Sequence, residues 1–146
     1  HNRNQLPVQI EEPLEATYWK SLDEMIKRMD IISINCPLTD KTKGLLSADK
    51  LKLIMPNSYI INSSRSEIID QIALVKLLKE KRIAGAGLDV FSAEKNSNIE
   101  LLDLPNTILI PHMGSATVEG RIEMGEKVII NIKTFIDGHN PPNRII

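Results

Sequence analysis

Residues 83–91 read Ile-Ala-Gly-Ala-Gly-Leu-Asp-Val-Phe, an apolar run that leads directly into an aspartate. Two other stretches share this design: residues 58–65 read Ser-Tyr-Ile-Ile-Asn-Ser-Ser-Arg, and residues 107–115 read Thr-Ile-Leu-Ile-Pro-His-Met-Gly-Ser. Short runs rich in β-branched residues are typical of strands. In an α/β domain, ligands bind beyond the carboxyl ends of the strands. The pattern therefore predicts parallel strands whose polar ends line one cleft.

Helix signals alternate with these strands. Ser21 and Glu24 form a capping box, Asp70 is a second N-cap, and Gly138 is a natural helix stop. A further β-rich run, Ile31–Asn35, ends at a Cys-Pro pair. The predicted helices are 21–28, 47 to about 54, 70 to about 81, and 115 or 117 to about 137. This alternation predicts an α/β fold with a Rossmann-like parallel sheet and helices on both faces.

Periodicity also predicts which helix faces are buried. In the helix after Asp70, we expect Ile72, Val75 and Leu78 or Leu74 to face the core. In the last helix, the apolar stripe from Ile122 to Ile136 has helical spacing and predicts ordinary core packing.

Composition excludes several classes of function. The net charge is −1 and aromatic residues make up 3% of the chain, so neither nucleic acid nor an anionic membrane is an expected partner. No apolar run approaches the roughly 20 residues of a membrane span, and no signal peptide is recognisable. Cys36 is the single cysteine, which suits a reducing cytoplasm.

Four motifs follow one another along the chain: Cys36-Pro37-Leu38-Thr39, Asn62-Ser63-Ser64-Arg65, Ala84-Gly85-Ala86-Gly87-Leu88-Asp89-Val90-Phe91 and Pro111-His112-Met113-Gly114-Ser115-Ala116. In this order and spacing they resemble the cofactor-binding domain of the D-isomer-specific 2-hydroxyacid dehydrogenases, which include the glyoxylate/hydroxypyruvate reductases. The resemblance runs from His1 to about Ile145. It implies an NAD(P)-dependent oxidoreductase that acts on a small 2-keto or D-2-hydroxy acid, and it implies a homodimer.

The resemblance implies three catalytic residues. Arg65 matches the arginine that clamps the substrate carboxylate, Glu94 its carboxylate partner, and His112 the acid/base histidine. Histidine suits proton transfer because its free pKa lies near neutrality, and a guanidinium matches a carboxylate with two bonds. The alternatives are a helix-start cap for His112, a surface ion pair for Arg65 and a solvated loop carboxylate for Glu94.

The same resemblance implies contacts with the cofactor. Asp89 matches an aspartate near the nicotinamide carboxamide, and Ser115 lies in the turn after the histidine. The full implied set is Arg3, Cys36, Pro37, Thr39, Ser64, Asp89, Gly114 and Ser115. No metal site is predicted.

Arg3 indicates which dinucleotide is bound. An acidic residue at the end of the family's second strand binds the ribose of NAD, whereas an arginine suits the 2′-phosphate of NADP. No Asp or Glu precedes Glu11, so NADP is favoured over NAD.

The chain departs from the family pattern at two positions. Ser66 stands where the family usually has glycine after the arginine, and Lys95 stands where it usually has proline after the glutamate. We expect the serine to affect the backbone conformation near the cofactor. We expect the lysine to change only the loop that follows the glutamate.

The 146 residues contain neither a G-x-G-x-x-G turn after a strand nor a substrate-binding domain. Residues 1–146 are therefore interpreted as the carboxyl-terminal part of an NAD(P)-binding domain, inactive on its own. In a sheet of order 3-2-1-4-5-6, we expect the Ile31–Asn35 strand to lack a neighbour on either side and the Ser58–Asn62 strand to have an open edge.

Two other functions stay open. A formate dehydrogenase has a similar fold, but it pairs its histidine with an amide where this chain has Glu94. Dinucleotide-sensing corepressors of the same fold bind transcription factors instead of turning over a substrate, and their motifs overlap these. The complete Arg-Glu-His set favours the enzyme.

Overall fold

The computed structural model describes residues 1–92 and 100–144. Its helices are α1 (Val8–Glu11), α2 (Leu22–Ile26), α3 (Ala48–Leu51), α4 (Gln71–Lys79) and α5 (Val118–Ile136), with 3₁₀ turns at Glu12–Leu14 and Ser66–Ile68. Its strands are β1 (Ile31–Ile34), β2 (Tyr59–Asn62), β3 (Gly85–Leu88) and β4 (Thr107–Leu109). The chain divides into two compact units, His1–Ile110 and Pro111–Ile146, and the sheet belongs to the first.

The sheet has four strands in the order β1-β2-β3-β4, and each neighbouring pair is parallel. The predicted parallel α/β architecture is confirmed. The strand bounds differ from the predicted ones by at most two residues at either end, because hydrogen-bonded pairing stops before the apolar run does.

The predicted neighbours of β1 are wrong. β1 pairs directly with β2, with Ile31 opposite Tyr59 and Ile34 opposite Asn62. Since β3 occupies the other side of β2, β2 is an internal strand of the described sheet and has no open edge. The terminal strand on this side is β1, because consecutive crossovers place each new strand beside the preceding one.

Three helices begin at the predicted caps. The Ser21 Oγ accepts from the Glu24 N–H at 3.3 Å, and the Asp70 Oδ1 accepts from the Ala73 N–H at 3.0 Å. Thr117 caps α5 through the N–H of Gly120, also at 3.0 Å. Each side chain satisfies a backbone donor that the first helical turn leaves without an intrahelical partner.

One face of the sheet carries the core. Ile32, Ile60 and Ala86 lie in one registered row and are buried, and the row of Ile34, Asn62 and Leu88 is buried too. On β1 and β2 the alternate residues are open: Ile31 is 65% exposed and Tyr59 is 50% exposed. This alternation follows from the two-residue period of a strand.

The buried face of α4 differs from the prediction at Ile72 and Leu77. Leu74, Val75, Leu77 and Leu78 are buried as a continuous arc, but Ile72 is 69% exposed. At 3.6 residues per turn, Ile72 lies roughly 200° around the helix from Leu74. The expectation that Ile72 faces the core is therefore wrong.

The predicted burial of the α5 stripe is also wrong. None of the residues of α5 is buried, and Ile129, Phe135 and Ile136 are 66%, 72% and 76% exposed. The second unit contains this long helix and short flanking turns, so within that unit the stripe has no second layer to pack against. The helix ends as predicted, with Gly138 at a φ of 81°. In the described part of the chain, no helix has the length and apolar character needed to cross a membrane.

Gly85 lets β3 lie close to both neighbouring segments. A Cβ on Gly85 would lie 2.7 Å from the Asn106 carbonyl oxygen and 3.2 Å from Cε1 of Tyr59. Tyr59 is the registered partner of Gly85 on β2. The glycine therefore makes room for backbone on one side and for an aromatic ring on the other.

We predict that Gly85→Ala lowers the free energy of unfolding by about 1–3 kcal/mol, the usual cost of overpacking. Gly125→Ala is the matched control, since a Cβ there meets nothing within 4 Å and alanine favours a helix by about 0.5–1 kcal/mol. Chemical denaturation of both variants measures the difference. A Gly85→Ala protein as stable as the control would contradict the close-approach argument.

Candidate functional site

The segments that follow β1, β2 and β3 are joined by hydrogen bonds at the carboxyl edge of the sheet. The Ser64 hydroxyl donates to the backbone oxygen of Cys36, and the Asp89 N–H donates to the Asn62 oxygen at 2.9 Å. The structure thus brings together Cys36, Ser64 and Asp89, three of the predicted cofactor contacts. Their role in binding stays a prediction.

Asn62 builds the turn that presents Arg65. Its Oδ1 accepts from the Ser64 N–H at 3.0 Å, and its Nδ2 donates to the Arg65 carbonyl at 2.9 Å. The side chain is 1% exposed, so water does not compete for these bonds. Both polar ends of one buried amide therefore fix the path of the chain from β2 to Arg65.

The Arg65 side chain is exposed. Its Nη1 donates to the Ser64 carbonyl at 2.8 Å, which holds this terminal nitrogen of the guanidinium near the turn. Among the described residues, Arg65 forms no ion pair. A guanidinium offers five donors in a planar fork, so this arrangement suits a ligand carboxylate.

Ser66, which replaces the family's usual glycine, interacts with the neighbouring acid. Its hydroxyl donates to Oε2 of Glu67 at 2.9 Å. The Glu67 backbone N–H and the Ser66 hydroxyl lower the pKa of the Glu67 carboxyl, and the charges of Arg65 and Lys43 add to the effect. Glu67 therefore carries its negative charge beside Arg65 at neutral pH.

The loop after Cys36 is organised around Thr42. The Thr42 Oγ1 accepts from the Thr39 N–H at 2.8 Å and lies 2.7 Å from the Pro37 oxygen. Pro37 and Thr39 are exposed, whereas Cys36 is half-buried and packs against the core. The three predicted cofactor contacts in this loop thus share one edge of the sheet.

Asp89 and the segment after it lie at the end of β3. The Asp89 side chain is 6% exposed, and the Ser92 N–H donates to Oε1 of Gln71 at 2.6 Å. This bond fastens the start of the following loop to the first turn of α4. Glu94, the predicted partner of the histidine, lies outside the described residues.

His112, Gly114 and Ser115 belong to the second unit. His112 has a φ of +53°, a left-handed conformation that is uncommon outside glycine and is enriched at functional positions. With Ser115, Ala116, Arg121 and Met124, it lines an open concavity of about 540 Å³. An exposed imidazole beside a guanidinium suits an anionic ligand.

Arg3 is exposed, and its N–H donates to Oδ1 of Asn2 at 2.8 Å. The Tyr18 hydroxyl donates to the Asn2 oxygen at 3.0 Å, and the rings of His1 and Tyr18 stack with centroids 6.5 Å apart. The segment that carries Arg3 is therefore tied to residues 18–19, while its guanidinium faces solvent.

A family model described as the NAD binding domain of the D-isomer specific 2-hydroxyacid dehydrogenases matches residues 1–114. The sequence is also 43% identical to a glyoxylate reductase from Thermococcus litoralis, over 145 residues that cover 99% of this chain and 43% of the relative. The chain belongs to the D-isomer specific 2-hydroxyacid dehydrogenase family.

Solved members of this family have the same fold. A D-isomer specific 2-hydroxyacid dehydrogenase from Lactobacillus delbrueckii ssp. bulgaricus, in its NAD-complexed form, matches with a TM-score of 0.89 and 27% identity over 99% of this chain and 47% of that one. The NADPH-dependent glyoxylate/hydroxypyruvate reductase from Sinorhizobium meliloti, in complex with NADP and malonate, matches with a TM-score of 0.79 and 38% identity over 86% of this chain and 39% of that one. The Rossmann-like fold is confirmed, and the chain spans less than half the length of these 2-hydroxyacid dehydrogenases.

Two residues that shape the candidate site, Asn62 and Thr42, are not among the predicted site residues. The strand period places Asn62 on the buried face with Ile60. A buried amide at a strand end is a signal that its polar atoms have specific partners. Thr42 follows Thr39 at the spacing of a hydroxyl-stabilised turn, which is a weaker signal.

We predict that Asn62→Asp lowers the free energy of unfolding by about 1–3 kcal/mol at neutral pH, because the carboxylate cannot donate to the Arg65 oxygen. Repulsion from that oxygen and burial raise the folded-state pKa of the new acid. The deficit is therefore largest above that pKa and shrinks as the pH falls, when the protonated acid can donate.

Denaturation of the protein at several pH values measures this deficit. Asn4→Asp is the control, because Asn4 is exposed and the same chemical change there carries no buried polar penalty. A pH-independent deficit for Asn62→Asp would contradict the proposed bond to Arg65.

Proposed function

We propose that the protein containing this chain is an NAD(P)-dependent 2-hydroxyacid dehydrogenase that reduces a small 2-keto acid such as glyoxylate or hydroxypyruvate. The observation that carries the proposal is the exposed side chain of Arg65, whose backbone carbonyl is held by the buried Asn62 at the carboxyl edge of a Rossmann-like sheet. Similarity to glyoxylate reductases supports the substrate class.

The polar groups at the sheet edge fit a nicotinamide dinucleotide. Thr39 and Ser64 carry hydroxyls, and Asp89 carries a carboxylate that can accept from a carboxamide. When bound, the cofactor supplies the hydride. The residues of this chain do the rest: they orient the nicotinamide, hold the substrate and move a proton.

The proposed division of labour follows from residue chemistry. Arg65 binds the substrate carboxylate with two parallel bonds, which fixes the orientation of the carbonyl. His112 donates a proton to the carbonyl oxygen as hydride arrives, and Glu94 favours the charged imidazolium. Lysine in place of Arg65 would keep the charge but lose the two-bond geometry.

The cofactor preference rests on Arg3, an exposed cation with no acidic residue before Glu11. We expect NADPH to bind better than NADH. A cytoplasmic homodimer is part of the proposal. The 146 residues alone are proposed to be inactive, because they contain no glycine-rich phosphate turn.

In the full-length protein, His112→Asn should lower turnover of glyoxylate by roughly 10²–10⁴-fold, the usual share of general acid catalysis. Asparagine is chosen because it tolerates the left-handed backbone of His112 better than alanine does. His139→Asn, at an exposed position, is the matched control. Near-normal turnover of His112→Asn in steady-state assays would refute the acid role.

Arg65→Lys should raise KM for the keto acid about 10-fold to 100-fold, because one charge-assisted bond is lost, and should leave cofactor binding little changed. Arg82→Lys, at an exposed residue after α4, is the control. If the wild-type protein binds the cofactor but turns over no keto acid, this result supports the corepressor-type alternative and refutes the enzyme proposal.

Arg3→Ala should raise the Kd of NADPH more than that of NADH, because only NADPH carries the 2′-phosphate. Arg144→Ala, also exposed, provides the control. Equal changes in the Kd of the two dinucleotides, measured by fluorescence titration, would show that Arg3 does not bind the 2′-phosphate.

A further inference from the structure

Thr42 lies at the centre of the loop that follows β1. Its Oγ1 lies within hydrogen-bond distance of four polar atoms: the Pro37 oxygen at 2.7 Å, the Thr39 nitrogen at 2.8 Å, the Thr39 Oγ1 at 3.0 Å and the Thr39 oxygen at 3.3 Å. Thr42 is half-buried, whereas Thr39 is exposed above it. One hydroxyl therefore connects three polar groups of Thr39 with the backbone of Pro37.

The direction of these bonds follows from counting hydrogens. A hydroxyl has one hydrogen and two lone pairs. A carbonyl only accepts, so the Thr42 hydrogen goes to the nearer carbonyl, that of Pro37, at the usual O–H···O distance. The lone pairs of Thr42 then accept from the Thr39 N–H and from the Thr39 hydroxyl.

This assignment leaves the Thr39 hydroxyl with its hydrogen committed to Thr42. Its remaining lone pairs face solvent, so a ligand meets an acceptor at this position. An N–H or O–H group is attracted there, whereas a phosphate or carboxylate oxygen is repelled. The donor groups on a nicotinamide dinucleotide are the carboxamide N–H, the adenine amino group and the ribose hydroxyls.

We propose that Thr42 is a positioning residue that turns the Thr39 hydroxyl into a hydrogen-bond acceptor for a donor group of the bound dinucleotide. The proposal rests on the proposed function. It adds Thr42 as a residue that acts through Thr39, and it assigns Thr39 as the acceptor in its hydrogen bond with the dinucleotide.

The loop is fastened independently of the Thr42 hydroxyl. The Cys36 oxygen accepts from Ser64 at one end, and the Gly44 N–H donates to the Glu67 oxygen at 2.8 Å at the other. The Lys43 N–H also donates to the Thr39 oxygen, at 2.9 Å. Removing the Thr42 hydroxyl therefore changes the orientation of the Thr39 hydroxyl more than it changes the fold of the loop.

The test uses the full-length protein and fluorescence titration with NADPH and NADH. Thr42→Val, which keeps the shape of the side chain, should raise the Kd about threefold to tenfold, the value of one neutral hydrogen bond. Thr42→Ser should restore wild-type affinity, and the KM of the keto acid should change less than the Kd does. Thr17→Val, at an exposed position without a role in the loop, is the control.

A double-mutant cycle separates positioning from loop stability. In a Thr39→Val background the acceptor is already absent, so adding Thr42→Val should change the Kd by less than about twofold. An undiminished effect in that background would overturn the proposal, and so would an unchanged Kd for Thr42→Val alone. If Thr42→Val does not fold, the Thr39→Val variant still tests the proposal, because Thr39 is exposed. A wild-type Kd for the dinucleotide in Thr39→Val would also overturn the proposal.

Failure of the proposed function has a different signature. A folded wild-type protein that binds neither NADPH nor NADH refutes the dinucleotide site itself. Wild-type binding that is insensitive to Thr42→Val refutes the positioning role alone.

Discussion

The buried side chain of Asn62 is the interaction on which the candidate site depends. Its amide fixes the Ser64–Arg65 turn, and its backbone oxygen accepts from Asp89 at the end of β3. Ser64 in turn reaches the backbone of Cys36 beyond β1. Three strand ends are thereby joined through one residue that water does not reach. A buried polar group of this kind is costly unless it is fully bonded, and here both ends of the amide are satisfied.

The apolar surface of the chain has a different physical meaning from that of its core. The rows of Ile32 and Ile34 are buried with their partners on β2 and β3, and they hold the sheet to its helices. The opposite rows and all of α5 keep large apolar side chains exposed. The chain spans less than half the length of the relatives it matches.

Much of the fold was predictable because local signals are strong here. The caps at Ser21, Asp70 and Thr117 and the stop at Gly138 each act within a few residues. The wrong predictions concern which elements of the fold pack against each other. Ile72 faces away from the core, and the stripe of α5 is exposed, because periodicity marks an apolar face without naming the element that covers it.

The amino-acid sequence by itself determined the parallel α/β class, the family and the polar residues at the strand ends, since each follows from short-range pattern or from motif order. Only the tertiary structure decided that β1 pairs with β2 and that Asn62 links three strand ends. Those facts depend on bonds between segments as far apart as 28 residues, as from Ser64 to Cys36. No local preference encodes such a bond, because its partners meet only after the strands have paired.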